Sequence, residues 1–144
     1  ESAHSFSMGK DLMLMQLNRD GFIQEDVIID RGFLTVLSWG LLEKRIDPPT
    51  ARKHLELLNS NGLTRDIHII YVEGDNPDPS DRNKDMWDDI EKTNSEKFAY
   101  EFTLHQISSD HADIKITRFR NEINEQSIHD LAKIIKNVRN NTSN

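Results

Sequence analysis

The clearest structural signals in the chain lie in Asp47-Pro-Pro-Thr-Ala-Arg-Lys-His-Leu-Glu-Leu-Leu-Asn-Ser-Asn-Gly-Leu63. Asp47 is a favourable N-cap residue, Pro48 suits the first helical position, and Asn61-Gly62 supplies a left-handed stop. Apolar residues recur at helical spacing between these signals, at Ala51, Leu55 and Leu58. The stretch therefore predicts a capped helix with one apolar face, ending at the glycine.

The segments on either side extend this pattern. The run from Ile67 to Val72 is rich in β-branched residues and predicts a strand over 66–73. Upstream, apolar residues predict a helix over 7–18 and one or two helices over 26–45. If there are two, the break falls at Arg31-Gly32, because glycine weakens a helix.

Downstream, the sequence predicts an acidic loop over 74–83 and a short helix over 84–93. Phe98, Tyr100, Phe102 and Leu104 alternate with other residues, which predicts a strand reaching Ile107. Ile114, Ile116 and Phe119 predict the returning strand of a hairpin, and a closing helix follows over about 124–140.

Length and composition restrict the class of protein. The 144 residues are most simply one domain, residues 1–144, large enough for a hydrophobic core. The absence of cysteine rules out disulfides and cysteine-ligated metal sites. No apolar run approaches the roughly 20 residues that span a bilayer, so no membrane partner is predicted. The chain begins with Glu1 rather than Met, and we expect it to be part of a larger protein.

The net charge of −7 is unevenly distributed. Residues 73–101 hold ten acids and four bases, a balance of −6, whereas residues 114–144 hold six bases and three acids, a balance of +3. A domain that binds DNA by itself usually has a strongly basic face, because phosphate contacts dominate the affinity. The balance favours protein partners, with weak or no nucleic-acid binding by the isolated chain.

The sequence does not contain a recognisable catalytic or cofactor motif. The acids after Asp75 fail the calcium-loop pattern, because Pro77 and Pro79 occupy the third and fifth positions. A weaker metal alternative is the set around the predicted hairpin turn, His105, Asp110, His111 and Asp113. Phosphate-binding, nucleophile-elbow and zinc-protease motifs are absent. We therefore expect no enzyme activity, no cofactor and no metal.

The helix over 48–60, its glycine exit with Leu63 and the following strand resemble a winged-helix domain of the kind found in origin-recognition and silencing proteins. The resemblance covers about residues 26–120. It implies an α+β, winged-helix-like fold with N-terminal helices, a three-stranded antiparallel sheet and a C-terminal helix. It also implies DNA contact by Arg52, Lys53 and His54. The long acidic segment before the hairpin departs from the family pattern, and many such domains serve in dimerisation or docking instead.

We therefore predict a protein-interaction or homodimerisation module of a larger intracellular protein. The resemblance implies a setting in chromatin or transcription, in the nucleus or cytoplasm. The predicted dimer interface is on the apolar face of the closing helix: Ile128, Leu131, Ile135 and Val138. The alternative is a DNA-binding transcription regulator that uses the 48–60 helix, with contacts from Arg52, Lys53 and Arg65.

Overall fold

The computed structural model describes the backbone of residues 3–74, 86–122 and 124–142, and the side chains of residues 9–74, 94–122 and 124–139. In chain order, the described elements are α1 (Ala3–Arg19), α2 (Phe33–Leu42), α3 (Pro48–Ser60), β1 (His68–Glu73), α4 (Met86–Asp110), β2 (Lys115–Arg120) and α5 (Glu125–Thr142). A 3₁₀ turn, Thr64–Asp66, leads from α3 into β1. None of the described helices is long and apolar enough to cross a lipid bilayer.

Helix α3 has the predicted start, apolar face and end. The Thr50 backbone N–H donates to Asp47 Oδ1 at 2.9 Å, which is the expected N-cap bond. Gly62 has φ of +67°, a conformation that glycine adopts without steric cost. The apolar face is fully buried through Ala51, Leu55 and Leu58. The predicted helices over 7–18 and 124–140 are confirmed within α1 and α5.

The sheet is the main correction to the predicted fold. The described strands form one two-stranded parallel sheet, with His68 opposite Lys115 and Glu73 opposite Arg120. Parallel strands need a crossover connection, and α4 supplies it. The mixture of helix and strand was predicted correctly, but the three-stranded antiparallel sheet and its hairpin were wrong.

The predicted strand over 98–107 is part of α4. Its alternating aromatic residues also fit a helix, because positions four apart lie on one helical face. Ala99, Thr103 and Ile107 are buried at that spacing, whereas the Phe98 side chain is 74% exposed. The helix predicted over 84–93 continues into this segment without a break from Met86 onward. The predicted acidic loop, beyond Gly74, lies outside the described residues.

Of the one or two helices predicted over 26–45, only Phe33–Leu42 is helical, and it begins directly after the predicted break at Arg31-Gly32. Upstream of it, the Asn18 side-chain amide donates to the carbonyl oxygens of Ile23 at 3.0 Å and Glu25 at 2.7 Å. These bonds hold the chain after α1 in an irregular path. The β-branched run Val27-Ile28-Ile29 has modest helix propensity, so little opposes that path.

The core lies between the helices and one face of the sheet. Helix α2 packs closely on α4, where the Ser38 hydroxyl donates to Thr103 Oγ1 at 3.1 Å and Tyr100 donates to Thr35 Oγ1 at 3.0 Å. The buried cluster draws on α2, α3, β1, α4 and the approach to β2: Phe33, Leu37, Ala51, Leu55, Leu58, Ile69, Tyr71, Leu104, Ile107 and Ile114. Helix α1 supports it from outside through Leu12 and Met15.

Candidate functional site

Among the described residues, strand β1 pairs with another strand along one edge only. In a parallel ladder each residue directs both backbone groups to one side, and the side alternates along the strand. Lys115 N–H donates to the Ile67 carbonyl and Asn121 N–H to the Glu73 carbonyl, so the odd-numbered residues of β1 face β2. The backbone groups of His68, Ile70 and Val72 therefore point away from the sheet. No hydrogen bond from the described residues reaches these groups.

A groove of about 550 Å³ follows this edge. Every residue of β1 lines it, and the described residues of β2 do not, which places it beside the strand rather than over a sheet face. The segment 27–32 and the end of α1 form the opposite side. Apolar and aromatic side chains from the helices contribute to the lining: Met15, Phe33, Leu34 and Tyr100. We call the edge and its groove the β1 edge groove. The groove lies where a third strand would be added to the sheet beside β1.

The electrostatics of the β1 edge groove are mixed. Bases and acids occur in similar number along it: Arg19, Arg31, Lys97, Asp30, Asp66, Glu73 and Glu96. Burial, with a smaller effect of Lys115, lowers the pKa of His68, which favours the neutral imidazole. His68 Nε2 lies 2.6 Å from Thr117 Oγ1 across the strands. The groove therefore offers backbone hydrogen bonds and apolar contacts to a ligand, and its electrostatic potential is not strongly positive or negative.

On the α4 side of the sheet, an ion cluster joins three elements. Arg118 of β2 donates to the Glu101 carboxylate at 2.6 and 2.8 Å and to Glu73 Oε1 at 3.1 Å. Its guanidinium carbon lies 5.5 Å from the centre of the Tyr71 ring. Bonding to Arg118 holds the pKa of Glu101 below its ordinary value. The cluster therefore links β1, β2 and α4 through one arginine.

The predicted nucleic-acid residues do not form a basic surface. Arg52 and Lys53 are exposed on α3, and Arg65 is exposed on the 3₁₀ turn. Arg52 Nε lies 3.8 Å from Asp110 Oδ2, and the neighbouring Glu56 Oε1 lies 3.7 Å from His111 Nε2. The face is thus mixed in charge, and the DNA-binding alternative stays a prediction.

The predicted dimer residues share one face of α5. Leu131, Ile135 and Val138 are half-buried, and Ile128 is 69% exposed. The metal alternative gains no support, because the described residues contain no group of three His, Asp or Glu side chains that could hold a metal ion.

Sequence reasoning missed the exposed edge because it placed β1 in a three-stranded sheet. The signal that could have found it is weak. The segment 84–100 is rich in charged helix-forming residues, and a long helix between two strands is the usual crossover of a parallel pair. Comparison of the chain with protein-family models, with curated proteins and with solved structures finds no significant match.

Proposed function

We propose that the chain is a protein-interaction module that binds an extended segment of a partner protein in the β1 edge groove. The observation that carries the proposal is the set of outward backbone groups at His68, Ile70 and Val72 beside a groove with apolar lining. Unpaired strand edges are templates for another strand, and several peptide-recognition domains bind in this way. A setting in chromatin or transcription, inside the cell, rests on the winged-helix resemblance alone, and the described residues lack the three-stranded antiparallel sheet that this resemblance implies.

The occupant that fits best is a single strand rather than β1 of a second copy. Residues of α1 and α2 extend beyond β1 and already line the place where an added strand would lie. A second copy pairing edge to edge would bring its own helices to that place, whereas an isolated peptide brings none. The six residues of β1 span about 20 Å, so a segment of similar length can pair along the whole edge.

Val72 provides a sharp test of this proposal. Its N–H points away from β2, so Val72→Pro removes a donor from the free edge and leaves the ladder to β2 intact. The side chain is 44% exposed, so little packing is lost. Val72→Ala is the matched control, because it shortens the side chain but keeps the N–H.

The experiment selects displayed random linear peptides on the wild-type chain, after depletion on Val72→Pro. We expect peptides that bind wild type and Val72→Ala alike and Val72→Pro about tenfold more weakly, since an unsatisfied hydrogen-bonding group costs roughly 1–3 kcal/mol. Binding should also slow amide exchange at His68, Ile70 and Val72. Failure to enrich any such peptide, or equal binding to all three proteins, would overturn the proposal.

A further inference from the structure

The two faces of β1 differ in how well they are covered. Side chains alternate between the two faces of a sheet, and directly paired residues of neighbouring strands share a face. Ile69 and Tyr71 are buried on the face toward α4, where the rings of Tyr71 and Tyr100 lie 5.6 Å apart between centroids. On the other face Ile70 is half-buried and Val72 is exposed. A strand added beside β1 would therefore direct every second side chain toward the face that belongs to the core.

The cover of that face extends past β1 into the β1 edge groove. Leu34 of α2 and Tyr100 of α4 line the groove, as does Phe33, which belongs to the same buried cluster as Ile69. The Tyr100 hydroxyl donates to Thr35 Oγ1 at 3.0 Å, so the two helices are joined at this place by a defined bond. Leu34 and Tyr100 are half-buried, and each keeps surface that an added strand can cover. We call Phe33, Leu34 and Tyr100 the apolar wall of the groove.

The middle of β1 matches the apolar wall in its chemistry. Asp66 precedes the strand and Glu73 ends it, but the residues from His68 to Val72 include no Asp, Glu, Lys or Arg. A charged side chain placed between the middle of β1 and the apolar wall would lose hydration without gaining an ion pair from the strand, which is costly. The positions of a bound segment that face the wall therefore select apolar side chains.

We propose that the partner segment carries two apolar side chains two positions apart, which lie opposite Ile69 and Tyr71 and pack on the apolar wall. The residue between them lies opposite Ile70 on the other face, where β1 is more exposed, and it tolerates polar side chains. Leu34 then determines which apolar side chain fits at one of the two positions. This inference rests on the proposed function and adds the chemical class of the partner, an extended segment with the pattern apolar, any residue, apolar.

Peptides selected on the wild-type chain and depleted on Val72→Pro are the probes for this pattern. Each peptide is changed one position at a time, and its affinity for the full chain is measured by fluorescence anisotropy. We expect two positions, two apart, where serine in place of the apolar residue weakens binding about tenfold or more, because burial of an apolar side chain is lost. Lysine at the position between them should change the affinity less than about threefold, as is usual at an exposed site.

Leu34→Ala and Leu34→Phe test the apolar wall from the protein side. Leu34→Ala enlarges the space at one position, so the ratio of affinities for peptides with phenylalanine and with valine at that position should rise about tenfold. Leu34→Phe fills the space and should lower the same ratio, so a single poorly folded variant does not decide the test. The matched control is Leu41→Ala, the same truncation at another half-buried leucine of α2, which does not line the groove. Its affinity ratio should equal that of the wild type.

The outcomes separate this inference from the proposed function. Peptides that depend on the Val72 N–H but lack two apolar residues two positions apart would overturn the pattern and leave strand addition in place. Equal affinity ratios for the wild type, both Leu34 variants and Leu41→Ala would overturn the role of the apolar wall. If no peptide depends on the Val72 N–H, the proposed function fails, and the pattern fails with it.

Discussion

Single residues define the ends of α3, and their roles are local enough to be predicted from sequence. Asp47 binds the backbone three residues ahead, and Gly62 adopts the left-handed conformation that ends the helix. Both effects depend on one residue and its near neighbours in the sequence. Gly32 is different, because one of the two side chains close to it, Asp11, comes from α1 and is brought there by the tertiary fold.

The Asp47 cap makes the stability of the chain dependent on pH. Hydrogen bonds from Thr50 hold the pKa of the Asp47 carboxyl below its ordinary value. Because the folded-state pKa is the lower one, the stabilisation is present above the ordinary pKa of about 4 and is lost as the pH falls through the folded value. We expect Asp47→Ala to lower the melting temperature by a few degrees at pH 7 and by progressively less below pH 4.

Asp47→Asn separates the hydrogen bond from the charge. Asparagine is also a good N-cap but does not titrate, so this variant should melt near the wild type at pH 7. The difference in melting temperature between Asp47→Asn and Asp47→Ala should not shrink in acid. Thermal melts of the three proteins between pH 2.5 and 7 measure this, and a constant gap between wild type and Asp47→Ala would contradict the assignment.

Gly32 and Gly9 should respond in opposite ways to alanine. A Cβ at Gly32 would lie 2.8 Å from Ile29 Cγ2 and 3.2 Å from Asp11 Oδ2, so we expect Gly32→Ala to cost about 1–3 kcal/mol. A Cβ at Gly9 meets nothing within 4 Å, and alanine suits the interior of α1. Gly9→Ala should add about 0.5–1 kcal/mol. Urea unfolding measures the stability of both variants. A Gly32→Ala variant as stable as the wild type would mean that Ile29 moves aside without cost.

At the scale of elements, the sequence predicts helices and strands better than it predicts how they pair. Residues 98–107 satisfy both a strand period and a helix period, because apolar residues two and four apart coexist there. Tertiary packing selects the helix, since Ala99 is buried and Thr103 bonds to Ser38 across the contact with α2. Strand β2 was predicted near its observed position, but its partner and direction depend on the helix that intervenes.

The contact between α2 and α4 contains a buried hydroxyl chain that can be dissected. Ser38 donates to Thr103, and Thr103 donates in turn to the Ala99 carbonyl at 3.0 Å. We expect Ser38→Ala to cost about 1 kcal/mol, the net value of a hydrogen bond. Thr103→Val should cost roughly 1–3 kcal/mol, because it leaves the Ser38 hydroxyl buried without its acceptor.

The double variant Ser38→Ala/Thr103→Val removes both polar partners together. It should cost less than the sum of the single variants, with a coupling of about 1 kcal/mol measured by urea unfolding. Strict additivity would show that the two hydroxyls do not depend on each other.

At the scale of the whole molecule, the chain separates into a packed body and one weakly attached helix. The buried cluster joins α2, α3, α4 and the sheet, whereas the described part of α5 contributes no apolar residue to it. Described contacts at its two ends include the bond from Glu122 N–H to Ser127 Oγ at 3.0 Å and the ion pair of Arg139 with Asp26 at 3.3 Å. The sequence predicted both the helix and its apolar face, but could not show whether that face is covered.

Removal of α5 tests this division. A chain ending at Glu122 should still unfold in one cooperative transition, because the buried cluster lies outside the deleted part. Its stability should fall modestly, since Leu131, Ile135 and Val138 are half-buried rather than buried. In the intact chain under monomeric conditions, α5 amides should exchange faster than those of α2, as expected for an element that opens by itself. Loss of cooperative unfolding on truncation would instead make α5 an integral part of one larger core.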